Sequence, residues 1–283
     1  MPTKLNDGDA PVEPKVEYEL MRPAEVVAAR ERCPVAFVPI GPLEWHGPHL
    51  PMGTDGLHAH HVAVRVAQAI GGVVLPTLFA GSGTVRLPGA GAQRLGPLGF
   101  DDSARVVGMD FPAHSVKSLY FEESAFGITV REILRGLKAD PFRLLVLLNG
   151  HGAPNHQRTL QRLAVEETVP GQVEVLYRTA WNPWALPQLG PGHADQWETS
   201  ITLAVAAPHV RVDELPPRGQ ALPYQEYGIV DGQAFDGHPT AGFVVPTGSD
   251  PRDARREDGE SMLREAVASI ATEVRQALDR QRI

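Results

Sequence analysis

The chain has 283 residues, enough for one large domain or two small ones, and carries 26 Lys and Arg against 34 Asp and Glu, a net charge of −8. With no basic run or stripe, this balance excludes nucleic acid and other polyanions as expected partners. Apolar runs stop at strand length, which excludes a membrane span, and the single cysteine, Cys33, excludes an internal disulfide and fits a reducing cytoplasm.

Residues 1–18 form a polar lead-in without the apolar stretch of a signal peptide. The first strand is predicted at 34–40, PVAFVPI, with Cys33 before it as a small buried hydrophobe. A stiff loop follows, GPLEWHGPHLPMGTD (41–55), and then a helix capped by Thr54 and running to Ile70. Further strands are expected at 71–78, 142–150 and 172–180. Helices are expected at 122–139, from Pro154 to Glu167, at 197–207 and at 254–280. Alternation of this kind predicts an α/β fold, a three-layer αβα arrangement with a mostly parallel central sheet, in a single domain over 1–283. Two stretches break the rhythm: a Gly-rich, atypically extended loop region at 81–121, and a Pro/Gly/Asp-rich stretch at 208–254. Loops of that length in a compact domain are usually functional.

The chemistry-bearing residues share one location. GPLEWHGPHLPMGTD follows the first strand, NGHGAPN (149–155) follows the strand at 142–150, and WNPW (181–184) with HADQWETS (193–200) follows the strand at 172–180. Loops leaving the carboxyl ends of parallel strands converge on one crevice. Three carboxylates, Glu44, Asp55 and Glu198, would meet there with His46 and His151. Without cations they would repel, and one would take up a proton. Divalent metal removes the conflict, and the mixed ligand set suits Zn²⁺, Mn²⁺ or Fe²⁺. Two such ions, three carboxylates and one hydroxide sum to zero charge. Glu44 and His46 point to the same side of an extended segment. Asp55 is held firmly at a helix start, where its carboxylate can bridge two ions. Any one of these patterns alone is an ordinary surface or turn sequence; their joint placement is the signal.

GPLEWHGPHLPMGTD, LLNGHGAPN and HADQWETS, in this order and separation, resemble the creatininase family over about residues 20–280. The Gly-rich GHPTAGFVVPTGSDPRDARREDGESML (237–263) is similar to that family's loop before its last helix. The resemblance implies a cytoplasmic α/β amidohydrolase with a binuclear metal centre, assembled as a homo-oligomer, often a hexamer. Its substrate would be a small-molecule amide: a C–N bond in a cyclic amide or formamide is cleaved, with hydroxide generated at the two divalent ions as nucleophile. A peptidase that trims a small modified peptide and a non-catalytic metal-binding protein are the alternatives. By motif position Glu44, His46, Asp55 and His151 match metal ligands, Asp55 in the bridging place. Ala153 stands where creatininase has a Glu, so Glu198 is expected to supply the fifth ligand, and creatinine itself is a weaker expectation. Gly192, where creatininase has an acidic residue, points the same way.

The resemblance makes His193 the expected catalytic histidine, shuttling protons at neutral pH. His49 is expected to brace a ligand by a hydrogen bond. Trp181 and Trp184 would wall a substrate pocket or pack in the core. Lys117 and Tyr120, in the atypical region, are expected near substrate. His58, His60 and His61 are expected to pack or face solvent, and His156 is read as an ordinary helix residue.

Overall fold

The computed structural model describes residues 15–86, 106–111, 114–181, 192–220, 222 and 248–281. It opens with a helix missing from the sequence expectations, α1 (Pro23–Arg32). Proline suits the first helical position, and the Glu25 carboxylate accepts a hydrogen bond from the Arg22 backbone N–H at 2.6 Å. Only Val26 and Ala29 of this helix are buried, so its apolar stripe is too narrow to stand out as a periodic signal.

The next elements are β1 (Val35–Ile40), α2 (Thr54–Ile70), β2 (Val73–Val74) and the two-residue strands β3 (Val85–Arg86) and β4 (Val106–Val107). They are followed by α3 (Glu123–Lys138), β5 (Leu144–Asn149), α4 (Pro154–Glu167), β6 (Glu174–Thr179), α5 (Gln196–Ala206) and α6 (Arg256–Arg280). The strand expected at 71–78 shrinks to Val73–Val74, because Pro76 has no N–H to give a ladder. Pairing returns only as a bridge between Ile40 and Leu78. The 81–121 region is not all loop: β3 and β4 pair antiparallel, Val85 with Val107 and Arg86 with Val106.

β2, β1, β5 and β6 form one sheet in that order, every pairing parallel. All residues of β1 and β5 are buried, as a sheet covered on both faces requires. Alternate side chains split between two cores. Val35, Phe37, Leu144, Val146 and Leu148 pack with residues of α2, α5 and α6. Ala36, Val38, Ile40, Leu145 and Leu147 face α3 and α4. The molecule is thus an αβα sandwich. Among the described residues no helix is long and apolar enough to cross a membrane.

The strand order sets where a site can form. From β1 the chain crosses through α2 to β2 on one side; from β5 it crosses through α4 to β6 on the other. The order therefore reverses between β1 and β5, and a crevice opens beyond their carboxyl ends. α5 is held over this edge by α6. A Cβ at Gly259 of α6 would lie 2.0 Å from the Ser200 carbonyl oxygen of α5, so only glycine permits that approach.

Candidate metal centre

Asp55 occupies the first turn of α2, where the helix dipole favours a negative charge. The cap itself is Gly53; Thr54 lies inside the helix and its hydroxyl donates to the Pro51 carbonyl at 2.7 Å. The backbone of Asp55 is wedged between the loops that leave β1 and β5. A Cβ at Gly41 would lie 2.6 Å from the Asp55 Cβ, and one at Gly150 only 1.9 Å from the Asp55 carbonyl oxygen. Gly150→Ala is therefore expected to destabilise the fold by about 1–3 kcal/mol through overpacking and to displace Asp55. Thermal melting checks the first effect, and metal titration the second.

Glu44 and His46 follow β1, and Glu44 N–H donates to the Met52 carbonyl at 2.8 Å. The His46 Nδ1–H donates to the Glu44 carbonyl at 2.9 Å, which turns Nε2 toward three carboxylates. The distances are 3.1 Å to Asp55 Oδ1, 3.5 Å to Glu198 Oε1 and 3.7 Å to Glu44 Oε2. His151 sits between β5 and α4. Its N–H donates to Asn149 Oδ1 at 2.8 Å, and Asn149 Nδ2 donates back to its carbonyl at 2.7 Å. His151 Nδ1 is thereby placed 2.8 Å from Asp55 Oδ2 and 3.2 Å from Glu44 Oε2. Asp55 thus turns one oxygen to each imidazole.

Glu198 arrives from the first turn of α5, whose N-cap Asp195 accepts from the Glu198 N–H at 3.0 Å. One oxygen of Glu198 accepts from Ala194 N–H at 2.5 Å, leaving the other toward His46. Ala194 itself has φ +52°, a left-handed conformation uncommon outside glycine, at the turn between His193 and α5. His193 Nε2–H donates to the Trp45 carbonyl at 2.6 Å, and Nδ1 lies 3.7 Å from Glu44 Oε2. The His193 and His46 rings stand 4.3 Å apart.

The electrostatics follow from burial. Glu44, Asp55 and Glu198 are 3%, 2% and 5% exposed, so water does little to stabilise their charges. Burial pushes Glu198 above the usual carboxylate range. Burial opposes the charge on Glu44 and Asp55 as well. His151 outweighs it at Glu44, and His46 and His151 outweigh it at Asp55, so both carboxyls fall below their usual values. His151 is carried up to about 10 and His46 well above its ordinary value, because neighbouring carboxylates overcome the burial penalty. His193 goes the other way: burial, then the nearby His46, lowers it to about 3. It is a neutral imidazole whose Nδ1 carries no proton.

Among the described residues three sets of side chains have ligand atoms within 4.8 Å of one another in each set: Glu44, Asp55 and His151; His46, Asp55 and Glu198; and Glu44, His46 and His193. The first two share Asp55, whose Oδ2 lies nearest His151 and whose Oδ1 lies nearest His46. Buried oxygen and imidazole donors in this arrangement fit divalent metal, which would compensate the three carboxylates.

The other residues singled out in the sequence fall in different places. Tyr120 joins the cluster, its hydroxyl donating to Glu44 Oε1. Burial and the Glu44 charge keep that phenol protonated. His49 shares a hydrogen bond of 2.9 Å with Thr199, next to Glu198, and touches no residue of the cluster by hydrogen bond. Lys117 is exposed and donates to the Phe111 carbonyl at 2.8 Å. Trp181 packs edge-on against Trp197 at 6.1 Å and lies against the core. Trp184 lies outside the described residues. His58 is buried, donating through Nε2 to Thr202 Oγ1 at 2.9 Å; His60 faces Glu17 and His61 bonds the Leu57 carbonyl.

Two supporting residues escaped sequence reasoning. Asn149 reads as a turn former, yet its side chain fixes His151. His156 reads as a helix residue, yet it accepts from Ser82 N–H at 3.4 Å and donates through Nε2 to Asn149 Oδ1 at 3.0 Å. The available signal was Asn149, His151 and His156 falling within eight residues after a buried strand.

The model of the creatininase family, described as creatinine amidohydrolase, matches residues 19–274. The chain belongs to the creatininase family of hydrolases. It is 27% identical over 265 residues to creatinine amidohydrolase of Pseudomonas putida, covering 86% of this chain and 89% of that protein. It is 26% identical over 254 residues to the mycofactocin precursor peptide peptidase of Mycolicibacterium smegmatis, covering 86% and 85%. A manganese form of creatininase superposes with a TM-score of 0.60 at 24% identity, covering 93% of this chain and 98% of that one.

Proposed function

We propose that this protein is a metal-dependent amidohydrolase that cleaves a non-peptide C–N bond, in a cyclic amide or a formamide, at a centre for two divalent ions. The observation that carries the proposal is Asp55, whose two oxygens face two imidazoles, His46 at 3.1 Å and His151 at 2.8 Å. Glu44, Asp55 and His151 would hold one ion. His46, Asp55 and Glu198 would hold the other. Bound Zn²⁺, Mn²⁺ or Fe²⁺ would lower the pKa of coordinated water to about 7 and polarise the substrate carbonyl.

The chain's own residues supply the rest. His193 is neutral and presents Nδ1 to the cluster, while its Nε2–H, anchored on the Trp45 carbonyl, fixes the tautomer. During turnover it would receive at Nδ1 the proton shed by the attacking water and pass it to the leaving nitrogen, which cannot depart as an amide anion; the low value that burial gives this imidazole favours the second transfer. Ala153 lies at the cap of α4 and offers no carboxylate, so Glu198 closes the second ion's set. We read the protein as cytoplasmic and homo-oligomeric, a hexamer by resemblance; sedimentation measures the latter.

A second reading, a peptidase acting on a small modified peptide, is favoured by the near-equal identity to the mycofactocin relative. A screen of lactams, hydantoins, formamides and short peptides against the metal-replete protein separates the readings. Turnover of a non-peptide amide is expected. Turnover of peptides alone transfers the assignment to the peptidase, and no turnover with both ions bound leaves a metal-binding protein. Glu198→Gln is expected to weaken one ion strongly while leaving the other. Elemental analysis should fall from two equivalents toward one, and two tightly bound ions in the variant would remove Glu198 from the set.

A further inference from the structure

We propose that Tyr120 is a positioning residue for Glu44: its hydroxyl occupies Oε1, so the carboxylate offers Oε2 alone to the ion held with Asp55 and His151. This rests on the reading of Glu44 as a metal ligand given above.

The backbone brings the two residues together. Leu43 and Leu119 form an antiparallel bridge, with Leu119 N–H donating to the Leu43 carbonyl at 2.8 Å. Glu44 and Tyr120 are then diagonal neighbours on one face, within reach of a long aromatic side chain. Phe121 N–H, donating to the Gly81 carbonyl at 2.8 Å, ties down the far side.

The hydroxyl lies among Glu44, Met109 and Ser118. It donates to Glu44 Oε1 and accepts from Met109 N–H at 3.0 Å. Oε2 of the same carboxylate faces inward, 3.2 Å from His151 Nδ1 and 3.7 Å from both His46 Nε2 and His193 Nδ1. The two oxygens are thus divided between the phenol and the centre.

The ring sits in a slot built for it. A Cβ at Gly83 would stand 3.0 Å from the ring, and one at Gly108 would stand 2.2 Å from the hydroxyl oxygen. Gly108 also has φ +54°, which glycine adopts without strain. Gly108 N–H donates to the Thr84 carbonyl at 2.8 Å, beside the β3–β4 pair. Gly83 and Gly108 of the atypical 81–121 region therefore frame Tyr120. A hydrogen bond at Oε1 orients the carboxylate and draws charge from it, and loss of such a supporting partner typically lowers metal affinity 10–100-fold.

The test uses the full chain, stripped of metal and titrated calorimetrically with Mn²⁺ and, for its spectrum, Co²⁺. Tyr120→Phe keeps the ring and removes only the hydroxyl. It is expected to bind both ions, one of them about 10–100-fold more weakly, with an altered cobalt d–d spectrum. Glu44→Gln should weaken the same ion, and adding Tyr120→Phe to it should cost nothing further. Gly108→Ala displaces the hydroxyl by another route and should reproduce the weakening if Tyr120→Phe does not fold. Two ions bound by a folded variant with wild-type affinity and spectrum would overturn the role of Tyr120 and leave the metal centre standing. Failure of the unaltered protein to bind metal, or full binding by Glu44→Gln, would instead overturn the reading of Glu44 on which it rests.

Discussion

Asp55→Ala is expected to abolish hydrolysis and to remove both ions, the largest effect of any single substitution at the centre. Asp55 belongs to both triads that share its carboxylate, so its loss reduces each to two donors. It is also the nearest carboxylate to each imidazole, 3.1 Å from His46 Nε2 and 2.8 Å from His151 Nδ1. The effect on folding should be smaller than the effect on metal. Removing one of three buried carboxylates relieves its repulsion of Glu44 and Glu198, which offsets part of the attraction lost from the imidazoles. Circular dichroism should therefore show a folded variant, and elemental analysis of that folded protein after reconstitution should fall well below one equivalent. Asp55→Asn, which keeps the shape and one oxygen, should retain more metal than Asp55→Ala. A variant Asp55→Ala that holds two ions and hydrolyses at near-normal rate would refute the bridging assignment.

His193→Asn is expected to keep both ions and lower kcat by about 10²–10⁴, the usual size of a general acid–base contribution. KM should change less, because His193 would act on protons in transit rather than on substrate binding. Its Nε2 is committed to the Trp45 carbonyl, and Nδ1 stands 3.7 Å from Glu44 Oε2. Asparagine retains a hydrogen-bonding amide but cannot carry a proton at neutral pH. Paired metal analysis and pH–rate profiles on the substrate found by screening decide the matter. Full activity with an unchanged acid limb would take the proton-transfer role away from His193. Loss of metal along with activity would make His193 a ligand, with Glu44 and His46 as its partners.

What could be read from the chain alone was local. Continuous apolar runs marked Val35–Ile40 and Leu144–Asn149 as buried parallel strands, because a strand covered on both faces has no polar side to show. Proline at the start of α4 and the apolar periodicity of α2, α3 and α6 set the helices within a residue or two. Strand–helix alternation then placed the Glu44, His46, Asp55 and His151 motifs at one sheet edge. Tertiary structure decided everything that depends on approach between distant segments. Gly41 and Gly150 read as turn residues, but their lack of a Cβ lets the Asp55 backbone enter between two loops. Glu198 reaches His46 only because α5 lies over the crevice, where its contact with Gly259 of α6 holds it. Tyr120 meets Glu44 through the Leu43–Leu119 bridge, and His156 reaches His151 through Asn149. Trp181 turned to Trp197, and Lys117 to a backbone carbonyl. A buried polar group must find a partner, but which partner it finds is set by the packing of whole elements, and that packing is not written in residue spacing.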